Sequence, residues 1–102
     1  MRTVVLVSRQ DHCLADLLWR WRSKELNIEI AAVFSNHGSA RELVEREGIP
    51  FEETDFSKDK AAAFEALGAR LRAHGAGLVV LARFMQILPD ALCREFGGRI
   101  IN

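Results

Sequence analysis

Short apolar runs constrain this chain more than any other feature. Val4-Val5-Leu6-Val7, Ile30-Ala31-Ala32-Val33-Phe34 and Leu78-Val79-Val80-Leu81-Ala82 contain no polar residue. Each is short for a helix and lacks the alternation of a half-buried strand. Such runs read as parallel strands covered on both faces. Stretches with helical spacing separate them. Strands alternating with helices imply a parallel sheet joined by right-handed crossovers. The segment directly after Leu78–Ala82, Arg83-Phe84-Met85-Gln86-Ile87-Leu88, then lies at the carboxyl end of a strand. Ligands bind there in open α/β sheets.

Taken in order, the first strand, Val4–Val7, meets Ser8-Arg9-Gln10-Asp11, and Asp11 can cap the next helix. Leu14, Leu17, Leu18 and Trp21 make one apolar helical face. Trp19 falls off that face and reads as a partner surface. Asn27 is the expected helix end. Ile28–Phe34 is the second strand and Ser35-Asn36-His37-Gly38 a turn-forming loop. Ser39 and Glu42 have the spacing of a capping box, with Ala40, Leu43 and Val44 as the buried stripe and Gly48 as the stop. Phe51–Thr54, after Pro50 and carrying charges, is an edge strand. Ser57 is the expected cap of a third helix, with Asp59 suited to its dipole. Phe64, Leu67 and Leu71 form its inner face, and His74-Gly75 its end. After Leu78–Ala82, Pro89-Asp90 opens a short helix through Phe96, Gly97-Gly98 stops it, and Arg99-Ile100-Ile101 begins a last strand. The expected fold is one α/β domain, a Rossmann-like open, mostly parallel sheet of order 3-2-1-4-5 flanked by helices. Its switch point lies between the first and fourth strands. Ser8–His12 and Arg83–Leu88 meet there, with Asn102 close to the second.

Charge and composition exclude several classes. Lys and Arg number 14 against 14 Asp and Glu, so no electrostatic surplus is available for nucleic-acid phosphates. No apolar run approaches the roughly 20 residues that span a bilayer, and Met1–Val7 is too short for a signal peptide. The expectation is a soluble cytoplasmic protein that engages neither nucleic acid nor membrane. Cys13 and Cys93 read as free thiols. His12, His37 and His74 fall in separate segments without metal-ligand spacing, so no metal is expected. His12 lies near the crevice, but neighbouring helical positions point about 100° apart, which sets it away from Cys13.

The turn Ser8-Arg9-Gln10-Asp11-His12 has no glycine. Backbone cannot approach a pyrophosphate closely there, which speaks against a nucleotide-binding loop. The Arg83–Leu88 segment offers backbone donors and acceptors among apolar side chains, which suits a flat heteroaromatic ligand. On composition alone, Phe84, Met85, Ile87 and Leu88 more readily read as core. Asn102 carries an amide that can donate to a developing oxyanion but cannot act as acid or base at neutral pH.

Leu81-Ala82-Arg83-Phe84-Met85-Gln86-Ile87-Leu88, with Gly98-Arg99-Ile100-Ile101-Asn102 at the right interval, resembles the folate-dependent formyltransferase-fold family. Val7-Ser8-Arg9-Gln10-Asp11-His12-Cys13-Leu14-Ala15-Asp16-Leu17-Leu18-Trp19-Arg20 is similar to its hydrolase branch, the formyltetrahydrofolate deformylases. The glycinamide ribonucleotide branch carries a glycine-rich phosphate turn there. The resemblance implies hydrolysis of 10-formyltetrahydrofolate to tetrahydrofolate and formate, with no prosthetic group. It implies a pterin lying along Met85, Gln86, Ile87 and Leu88, and Asn102 steadying the formyl oxygen. The catalytic His and Asp would come after Asn102. The chain is then expected to be the N-terminal part of a catalytic domain, without its C-terminal half or an N-terminal ACT regulatory domain. By itself it is expected to be inactive, and the full-length protein to be a homo-oligomer. Relatives tend to show Ser-Pro where Leu88-Pro89-Asp90 stands; the proline still permits a first turn. The alternatives are a small non-catalytic folate-binding or interaction module, and a phosphoribosylglycinamide formyltransferase-like transferase.

Overall fold

The computed structural model describes residues 2–8, 12–25, 28–82, 84 and 86–101; of His12 and Cys13 it describes only their place in a helix. Its elements run β1 (Arg2–Val7), α1 (His12–Arg22), β2 (Glu29–Ser35), a 3-10 turn (Gly38–Ala40) leading into α2 (Arg41–Glu45), β3 (Phe51–Glu53), α3 (Lys60–Ala73), β4 (Leu78–Leu81), α4 (Asp90–Glu95) and β5 (Ile100–Ile101). The strands form one sheet of order β3-β2-β1-β4-β5, as expected, and every pairing is parallel.

The apolar runs of β1 and β2 are unbroken because both faces are covered, whereas in β4 only Val79 is fully buried and Leu78, Val80 and Leu81 are half-buried. Val4 and Leu6 face Phe64, Leu67, Leu71, Leu92 and Phe96 of α3 and α4. Val5 and Val7 face Leu14 and Leu18 of α1 and Val44 of α2. Successive strand residues point to opposite sides, so a two-sided core needs apolar side chains at every position. Helix packing on the α3–α4 side is close at Gly68, where an added Cβ would stand 2.9 Å from a Leu92 methyl and displace that side chain.

Three local signals resolve differently from their sequence reading. The Ser39–Glu42 capping box is not used, because residues 38–40 form the 3-10 turn and the N-cap of α2 is Ala40, without a side-chain cap. For α3 the cap is Asp59, not Ser57. Its carboxylate accepts from the Ala62 N–H at 3.1 Å, while Ser57 turns to the Asp55 carboxylate at 2.6 Å. Asp59 stands directly before the first helical residue, within reach of free N–H groups, and Ser57 is too far back. Finally, α1 ends at Arg22 and not near Asn27, with Lys24 in the left-handed region and the Glu25 N–H closing on the Arg20 carbonyl at 2.9 Å. Asn27, like the expected cap Asp11, lies outside the described residues.

The edge strand β3 is tied to α3 by a charged cluster. Glu52 receives a two-pronged bond from Arg70, at 2.7 and 2.9 Å, and one from His74 Nε2 at 2.6 Å. The Arg70 fork holds the Glu52 carboxyl below the usual glutamate range, partial burial opposes this, and His74 adds to the lowering. A carboxyl lowered on folding stabilises above its unfolded pKa, ~4.3, and that contribution fades as pH falls through the folded value. Glu52→Gln is therefore expected to lower the melting temperature by a few degrees at pH 7. The gap should narrow when melting is repeated below about pH 4.

Thr3 is fully buried, and its hydroxyl has no hydrogen-bond partner among the described residues. Burying an unpaired hydroxyl costs about 1–3 kcal/mol. Thr3→Val keeps the shape and removes the hydroxyl, so it is expected to stabilise by roughly 1 kcal/mol. A urea midpoint that rises with unchanged slope would show this; a fall would mean that the hydroxyl is bonded in solution.

Candidate functional site

The carboxyl ends of β1, β2 and β4 lie side by side. Val7 pairs with Ser35, and Leu6 with Leu81. The Ala82 N–H reaches the Leu6 carbonyl at 2.9 Å, so β1 and β4 stay bonded up to the point where both chains leave the sheet. The strand order reverses between these two strands, and the expected crevice therefore falls at Ser8 on one side and residues 82–88 on the other.

Residues 82–88 divide into two kinds. Phe84 and Leu88 pack against the α3–α4 core, and Phe84 meets Phe56 edge to face with ring centroids 5.9 Å apart. For these two side chains the core-filling reading holds. Ile87 does the opposite and is 92% exposed. Gln86 is half-buried. Arg83 and Met85 lie outside the described residues. In this segment Phe84 and Leu88 anchor inward while Ile87 offers one exposed apolar surface.

Pro89, extended at the N-cap, turns the chain into α4, and its carbonyl accepts from Leu92 and Cys93. The stop at Gly98 needs a left-handed backbone, φ 73°, which glycine adopts without strain. β5 then runs beside β4, Val80 opposite Ile101, up to Asn102, which lies outside the described residues.

The β1 side of the switch point holds a residue that sequence reasoning misses. Ser35 reads as part of a turn, but it ends β2 and is 1% exposed. Its hydroxyl donates to the Ser8 carbonyl at 2.9 Å and accepts from the His37 N–H at 3.0 Å. The only sequence signal is a hydroxyl closing an apolar run. Next to it, Asn36 buries its Oδ1 without a hydrogen-bond partner among the described residues. Arg9, Gln10 and Asp11 lie outside the described residues, as do the side chains of His12 and Cys13. His37 is exposed, and His74 is held by Glu52 at the far end of α3. Among the described residues no cluster of His, Cys, Asp and Glu could hold a metal ion.

A separate groove of about 550 Å³ runs between α3 and α4, lined among others by Phe64, Gly68, Pro89 and Leu92. Its lining reaches Pro89, directly after Leu88, and Leu88 is not among the lining residues. No helix among the described residues is long and apolar enough to cross a membrane.

The family model described as formyl transferase matches residues 1–102. The chain is 47% identical over 102 residues to a formyltetrahydrofolate deformylase of Corynebacterium sp. (strain P-1), covering 99% of this chain and 36% of that protein. It is 43% identical to one from Bacillus subtilis (strain 168), covering 99% and 34%. The chain thus spans about a third of the length of the curated relatives it matches. Among solved structures it is similar to a formyltetrahydrofolate deformylase from Pseudomonas syringae pv. tomato, with a TM-score of 0.92, 48% identity, and coverage of 97% and 34%. It is also similar to glycinamide ribonucleotide transformylase 1 from Symbiobacterium toebii, with a TM-score of 0.88, 28% identity, and coverage of 98% and 49%.

Proposed function

Because the chain belongs to the formyl transferase family, we propose that it forms the folate-side portion of a formyltetrahydrofolate deformylase. The reaction is hydrolysis of 10-formyltetrahydrofolate to tetrahydrofolate and formate. One observation carries the choice of branch. Identity is 48% to a solved deformylase against 28% to a solved transformylase of nearly the same fold similarity. The glycine-free turn Ser8–His12 agrees, since a hydrolase whose second substrate is water needs no phosphate cradle there.

On this reading the pterin lies along Met85, Gln86, Ile87 and Leu88. The inward anchoring of Phe84 and Leu88 and the exposure of Ile87 support that placement. Water attacks the formyl carbon, the bond to N10 breaks, and N10 takes a proton. The Asn102 amide donates to the formyl oxygen as negative charge develops on it. An amide cannot accept the proton of the attacking water, so a separate base is required. No prosthetic group enters this chemistry. The protein acts in the cytoplasm on a small folate as part of a homo-oligomer, engaging neither nucleic acid nor membrane.

Equilibrium dialysis tests the reading. The protein is expected to bind 10-formyltetrahydrofolate and to leave glycinamide ribonucleotide free. Ile87→Asp, which puts a charge on the exposed apolar surface, is expected to weaken folate binding about tenfold. Binding of glycinamide ribonucleotide would move the protein to the transferase branch. Failure to bind folate would sink both branches.

A further inference from the structure

We propose that Ser35 is a positioning residue for the crevice. Its hydroxyl brackets the chain where it leaves β1 to the chain where it leaves β2, and so fixes Ser8 beside the switch point between β1 and β4. This inference rests on the proposed folate site.

The pairing of β1 with β2 ends at this level, while Ser35 remains paired to β3 through its carbonyl, which accepts from the Thr54 N–H at 2.8 Å. Val7 is the last β1 residue paired to β2, and Ser35 is its partner. Ser8, the next residue, bends out of the strand while remaining 6% exposed. The Ser35 hydroxyl supplies a donor to its carbonyl, at 2.9 Å, beyond the end of the ladder. The same oxygen accepts the His37 N–H at 3.0 Å, so one side chain serves backbone groups on two departing segments. On its other flank β1 is bonded to β4 through Leu6 and Ala82, directly before the segment that contains Gln86, Ile87 and Leu88. Ser8 therefore stands between the bracket and that segment. A buried hydroxyl that both donates and accepts fixes direction as well as position, because each of its bonds has a preferred angle.

Ser35→Ala removes both bonds at nearly constant shape, while Ser35→Thr keeps the hydroxyl. Each variant is read three ways: dissociation constant for 10-formyltetrahydrofolate by equilibrium dialysis, melting temperature, and hydrogen exchange at the His37 amide. The expected result is exchange at least tenfold faster and folate binding about tenfold weaker in the alanine variant, with both restored in the threonine variant. Alanine binding folate as tightly as the unaltered protein would overturn the inference. So would equal weakening in both variants that tracks the melting temperature, since the effect would then come from packing and not the hydroxyl. If the unaltered protein binds no folate, the proposed function fails; His37 exchange still reads the bracket, and unchanged exchange in the alanine variant would overturn it as well.

Discussion

A polypeptide of these 102 residues is expected to release formate from 10-formyltetrahydrofolate at least roughly 10³-fold more slowly than a deformylase that carries the whole catalytic trio. The reason is cooperative. On the proposed reading Asn102 stabilises the oxyanion, while the resemblance implies that the catalytic His and Asp come later in the sequence. Groups that act on one proton and one developing charge behave as a unit. Removing the base leaves the oxyanion donor little to stabilise, because the attacking water keeps its proton. On the proposed reading, folate binding is expected to persist, since it draws on the apolar surface that Ile87 exposes. Formate release under reducing conditions, set beside dialysis on the same sample, separates the two. Turnover at an ordinary enzymatic rate would show that residues 1–102 supply a base of their own, and the assignment of Asn102 would need revision.

Leu67→Ala is expected to cost about 2–5 kcal/mol. Leu67 is 1% exposed on the inner face of α3, in the cluster that includes Leu6, Val79 and Leu92. Truncation removes transfer energy and leaves a cavity that a sheet on one side and two helices on the other cannot collapse to fill. Domains of this size hold only about 5–15 kcal/mol in total, so the melting temperature should fall by ten degrees or more. Urea unfolding with an unchanged slope checks it. Ile87→Ala is the contrast, since that side chain is 92% exposed and its truncation should leave stability within about 0.5 kcal/mol. A similar loss from both substitutions would contradict the placement of the core.

The fold is legible in the sequence because its signals are local and repeated. Val4–Val7 is apolar at every position, as a doubly covered parallel strand requires, and all four residues are fully buried. Leu67 and Leu71 lie one helical turn apart and both are buried. Helix starts are less legible. Ser39 and Ser57 have the chemistry of caps, but whether a residue is a cap depends on where the chain turns into the helix, and that point falls at Ala40 and Asp59. The Arg83–Leu88 segment cannot be divided from its composition, since apolar residues look alike whether they anchor or bind.

By itself the sequence determined the architecture, the strand order, and the two segments that border the switch point, because periodicity and connection rules depend on neighbours in the chain. Tertiary structure alone decided that Phe84 and Leu88 face inward while Ile87 stands exposed. It also decided that Glu52 gathers Arg70 and His74, and that Ser35 joins the ends of β1 and β2. Each of these depends on groups many residues apart, brought within hydrogen-bonding or packing distance only when the sheet forms. Register between strands sets the Ser35 contact, and the docking of helices on the sheet sets the others.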